Sequence, residues 1–179
     1  MKRDPLPAHV LATRIIPNVA PDMAKELGLT PDQNSLAIVT ADSDDVTYTA
    51  LDEATKKADC KVVYAKSPYA GAATATTNLA RETLRTLAAP ISRTGSYLSE
   101  GCGIAEGEAI AYLIAPPLEA MYGVDAALKA ADVRMCVLYA PPSETNFGGA
   151  LLTGSQSACK SACDAFAAAV ESVADQPKV

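Results

Sequence analysis

The chain has 179 residues, 49% apolar and 20% charged, which suits one large domain or two small ones with a real core and excludes a disordered tail. Its Lys and Arg number 15 against 21 Asp and Glu, giving a net charge of -6 and a pI near 4.7, so the clustered cations of a nucleic-acid footprint are missing. Alanine is the commonest residue and Trp is absent, a composition suited to thin helices packed closely on a sheet.

From the N-terminus, Met1 to Val10 carries a basic pair and then Pro5, Pro7 and His9 where a secretion signal needs an unbroken apolar run. Leu11 to Ile16 predicts a strand, followed by a polar, partly helical stretch to Leu29 and a second strand over Leu36-Ala37-Ile38-Val39. Asp42-Ser43 supplies capping side chains for a helix that begins near Asp44, with Asp44 and Asp45 in its first turn opposing the positive end of the helix dipole. Lys61 to Ala65 predicts a strand, and Asn78 to Thr86 fits either a strand or a short helix. Leu87 to Ile91 and Ser92 to Ile104 read as a strand and a partly helical stretch, with Gly101 to Gly107 a turn. Ala109 to Ile114 is a strand, Pro116-Pro117 opens a helix, Met135 to Ala140 and Ala150 to Gly154 are strands, and a last helix runs from about Ser155 to Ala174. Its stripe of Ala158, Ala162, Ala165, Phe166, Ala169, Val170 and Val173 predicts one face packed on a sheet.

The elements repeat. Leu51 to Asp59 matches Val124 to Asp132 at Asp52, Ala54, Lys56, Ala58 and Asp59 with one constant offset, and strands flank each copy. The upstream strands and polar stretches correspond as well. The second copy closes with the long C-terminal helix, whereas the first has only Leu79 to Ala89 in that place and is short by a helix.

Candidate chemistry is sparse. His9 is the lone histidine and lies in a Pro-rich arm, leaving no second histidine for a Ser-His-Asp or Cys-His arrangement. Cys159 and Cys163 share a helix face and fit either small core residues or a thiol site; the five cysteines form no disulfide framework and suit a reducing, cytosolic interior. No apolar stretch approaches the ~18 residues that span a bilayer. Asp42-x-Asp44-Asp45 lacks the glycine and closing glutamate of a calcium loop, and no Walker or dinucleotide fingerprint is present. Three carboxylates at a helix start exceed what capping needs, which leaves a cation or amine subsite open beside the capping role.

Several long strings resemble the tandem-domain bacterial microcompartment shell proteins of ethanolamine utilisation: Ala41 to Tyr48, Asp52 to Lys56, Tyr69 to Ala73, Ser92 to Leu98, Ala115 to Ala120, Pro142 to Asn146 and Leu152 to Lys160. They run in family order over nearly the whole chain. The resemblance implies an α/β (α+β) fold of two tandem, circularly permuted microcompartment domains of ferredoxin-like type, the first shortened, over residues 1–88 and 89–179. It implies a homotrimer that forms a flat pseudohexagonal tile among other shell proteins, with pores for small molecules such as ethanolamine. The implied role is structural and transporting, without catalysis, cofactor, metal, nucleic acid or membrane. The family's ethanolamine carboxylates map onto Asp44, Asp45 and Glu82, and an ammonium does require anionic acceptors. The family's aromatic at that subsite has no counterpart, because a family segment is missing between Pro90 and Ser92, and Arg81 stands where the family has a glycine. A second reading of the same carboxylates is a soluble small-amine carrier or regulator of ferredoxin-like fold.

Overall fold

The computed structural model describes residues 8–66, 88–141 and 147–178. In chain order these form β1 (Val10–Ile16), α1 (Pro21–Glu26), β2 (Leu36–Ala41), α2 (Asp44–Lys57), β3 (Ala88–Ile91), α3 (Ser96–Cys102), β4 (Ala109–Ala115), α4 (Pro117–Ala130), β5 (Val133–Tyr139), β6 (Gly148–Gly154) and α5 (Gln156–Asp175). β1 and β2 pair antiparallel, and a second antiparallel sheet has the order β3-β4-β6-β5.

The second copy carries the core. Along β4, Ala109, Ala111, Leu113 and Ala115 belong to one large cluster with Val124, Phe166 and Val170 from α4 and α5, while Ile110 joins Cys102 and Leu151 in a separate one. One face of the strand is thus fully buried, while on the alternating face Ile110 is buried, Ile114 half-buried and Tyr112 exposed. Each fully buried large side chain contributes about 1.5–3 kcal/mol. Small residues set the helix spacing: Gly123 of α4 faces the Phe166 ring of α5. The starts of α4 and α5 follow the sequence signals. Pro117 occupies the first turn of α4, and Ser155 Oγ accepts from the Ala158 N–H at 3.1 Å to cap α5. Gly103, at φ 63°, ends α3 in the left-handed conformation that favours glycine.

The first copy is incomplete among the described residues. At the offset of the repeat, Val46, Tyr48 and Asp52 of α2 are exposed where Glu119, Met121 and Asp125 of α4 are buried. α4 is covered by α5, whereas α2 packs chiefly against β2. Lys61–Ala65 corrects an expectation: it forms no strand. Its counterpart β5 is held by hydrogen bonds to β6, and no described strand of the first copy stands where β6 would. The segment is instead tied to the second copy, the Tyr64 hydroxyl donating to the Pro141 carbonyl. The expected element at Asn78–Thr86 lies outside the described residues.

Candidate functional site

Asp44 and Asp45 are the first two residues of α2, preceded by Ser43 in extended conformation. The expected cap is corrected here. The Ser43 side chain makes no capping bond, and Thr47 Oγ1 donates back to the Ser43 carbonyl at 2.7 Å. Asp42 turns away from the helix to His9, just before β1: its Oδ1 accepts the His9 backbone N–H at 2.7 Å, and its Oδ2 lies 2.8 Å from His9 Nδ1. These bonds to His9 hold the Asp42 carboxyl below its ordinary value. Glu82, the third candidate carboxylate, lies outside the described residues.

Cys159 and Cys163 are buried in the stripe of α5, as small core residues would be. Burial and the neighbouring Cys159 sulfur push the Cys163 thiol up to about 11, which opposes thiolate chemistry.

The polar groups that the fold does bring together lie between the two copies. Arg14 of β1 is only 7% exposed; it donates to the carbonyls of Ser172 at 2.9 Å and Gln176 at 2.5 Å, and its guanidinium stands 5.6 Å from the centre of the Tyr122 ring. A cation thus satisfies carbonyls at the C-terminal end of α5, where the helix dipole favours positive charge. Thr13 extends the seam, its N–H donating to Pro177 at 2.8 Å. Near Arg14, Glu119 is buried in the first turn of α4; desolvation pushes its carboxyl up, opposed by its own backbone N–H and by Arg14.

A second group holds the turn between β1 and α1. Asp125 Oδ1 accepts the Ala20 N–H at 2.8 Å, and its Oδ2 pairs with Lys129 Nζ at 2.6 Å. Lys129 Nζ also donates to the Pro17 carbonyl at 2.8 Å, and Asp22 Oδ2 accepts the Met135 N–H at 2.8 Å. The sequence reading missed Arg14, Glu119, Asp125 and Lys129 as a joint. One signal could have found the last two, because the repeat preserves the same Asp and Lys four residues apart as Asp52 and Lys56.

No protein-family model matches the chain. The chain is 56% identical over 214 residues to the bacterial microcompartment shell protein EutL of Clostridium perfringens, covering 99% of each. It is 46% identical over 205 residues to the EutL of Escherichia coli, covering 94% of each. The first match runs over 35 more residues than the 179 of this chain, so the relative carries residues with no counterpart here. The crystal structure of EutL from Leptotrichia buccalis is 56% identical over 99% of both chains, with a TM-score of 0.51. A fused permuted hexameric shell protein of the RMM microcompartment is 20% identical and shares the fold at a TM-score of 0.70, covering 93% of this chain and 98% of its own.

Proposed function

The chain belongs to the EutL family of bacterial microcompartment shell proteins, and on that premise we propose that it assembles as a homotrimeric tile whose six domains surround pores for small molecules. Its place is the shell of an ethanolamine-utilisation microcompartment, and its fold is a tandem of two microcompartment domains. We assign residues 1–88 to the first domain and 89–179 to the second, and read its role as structural, with no catalytic step of its own. The observation that carries the trimer is the joint between the copies. One end of the first copy, Arg14 to Met23, docks on the second copy through a patch that the second copy's own equivalents do not occupy. Such a head-to-tail contact generates a closed ring when its rotation closes, and three two-domain chains make six positions.

Within the tile, ethanolamine is the proposed pore ligand, held through its ammonium by Asp44, Asp45 and Glu82. Two carboxylates at the head of α2, with Glu82 from the following segment, supply the anionic acceptors an ammonium needs. Calorimetric titration of the wild type against Asp45→Ala tests this: heat in the wild type and none in the variant is expected, and equal heats, or none in either, contradict it. The tile itself is tested by electron microscopy after co-expression with other shell proteins. Sheets, tubes or closed shells containing the chain are expected, and a chain that stays outside them behaves as a carrier instead.

A further inference from the structure

The joint inside the chain has two halves, and each has a repeat-related counterpart at an outer edge. The first half is the turn from Ile16 to Ala20, which follows β1 and leads into α1. Its counterpart runs from Ile91 to Gly95, between β3 and α3. The bonding of the two turns agrees: Ile16 pairs with Leu36 and Ile91 with Ile110, Val19 N–H donates to Asn34 and Thr94 N–H to Glu108, both at 2.9 Å, and Ala20 and Gly95 are the N-caps of their helices. The environments differ. Ala20 and Met23 are buried against the second copy at 4% and 0% exposure, whereas Gly95 is exposed and Tyr97, the counterpart of Asp22, is 86% exposed.

The receiving half is the Asp125–Lys129 pair of α4, whose counterpart is Asp52–Lys56 of α2. Both pairs are four residues apart with the same Nζ to carboxylate distance of 2.6 Å. The Asp125 side chain is 6% exposed and engaged with Ala20, while that of Asp52 is 64% exposed. Val62, the repeat counterpart of the Met135 whose N–H Asp22 accepts, and its neighbour Val63 are both exposed. The chain thus presents one closed joint and the two open halves of another.

We propose that Asp52 and Lys56 of one protomer clamp the Ser92–Gly95 turn of a second copy of this chain, as Asp125 and Lys129 clamp Pro17–Ala20 within it. Asp52 accepts the partner's Gly95 N–H, Lys56 donates to the partner's Ser92 carbonyl, and the partner's Tyr97 lies over Val62 and Val63. The inference rests on the homotrimer proposed above and assigns its interface, since a head-to-tail contact repeated around a ring satisfies every open half.

Oxidation of the full-length chain carrying Asp52→Cys and Gly95→Cys, in a Cys60→Ser background, tests the clamp. Position 95 accepts a side chain, because an added Cβ meets nothing within 4 Å. Covalent dimers and trimers on non-reducing gels are expected, whereas Ala20→Cys with Asp125→Cys is expected to cross-link within one chain and leave it a single chain. A native protein that is trimeric by light scattering, with no interchain product from the 52/95 pair, overturns the clamp and leaves the trimer standing; a monomeric native protein overturns both. In a second arm, Asp52→Ala is expected to raise the half-assembly concentration at least about tenfold. Unchanged assembly overturns the clamp.

Discussion

Gly123 of α4 faces Phe166 of α5 so closely that a Cβ at position 123 would stand 2.7 Å from ring Cδ2 and 2.9 Å from Cε2. The contact explains why an Ala-rich helix pair needs one glycine, and it gives a first prediction. In an exposed helix Gly→Ala gains about 1 kcal/mol, but overpacking a core costs about 1–3 kcal/mol. Gly123→Ala is expected to be less stable than the wild type in urea denaturation. A variant as stable as the wild type would mean that α4 and α5 can separate freely.

Arg14 joins β1 to the end of α5, and its loss uncovers carbonyls of Ser172 and Gln176 together with one face of Tyr122. Hydrogen bonds from a charged donor contribute about 1.5–3 kcal/mol. Arg14→Met is therefore expected to lower stability by about that amount and to speed amide exchange in the last turn of α5. Unchanged exchange there would contradict its capping role.

Glu119 gives a pH prediction. Burial raises its carboxyl above the ordinary 4.5, so the native state holds the proton more tightly than the unfolded chain. For a raised acid, stability is greatest below the unfolded value and falls as pH rises through the folded one. Glu119→Gln removes this slope. The stability difference between Glu119→Gln and wild type should shift in favour of the variant as pH rises above the ordinary glutamate range, read from urea midpoints at successive pH values. A difference independent of pH would show that the carboxyl titrates normally.

Cys159 and Cys163 are expected to resist brief alkylation at mildly alkaline pH, because burial raises both thiols and that of Cys163 to about 11. Peptide mass mapping reads the outcome. Modification of either residue in the folded protein would place the α5 stripe nearer solvent than its packing indicates.

Much of this fold is legible in the sequence where one copy suffices to build it. The stripe from Ala162 to Val173, the proline at the start of α4 and the β4 and β6 strands follow from periodicity and capping, because their partners lie within the same copy. The failures have a common cause. Lys61–Ala65 has the composition of a strand but no described neighbour with which to pair, and composition says nothing about a missing partner. Asp42 looks like a cap and serves His9 instead, since two acceptors two residues before a helix start compete for donors that only the fold positions. Arg14 and Glu119 gave no local signal at all, since they meet across more than a hundred residues of chain. Asp125 and Lys129 did leave one, their recurrence as Asp52 and Lys56, which becomes informative once the buried pair and the exposed pair are compared.

The mass of the native protein in solution tests the trimeric tile most directly. By light scattering at micromolar concentration the account predicts a single species of three times the 18.5 kDa chain. A monodisperse species of one chain mass would contradict it.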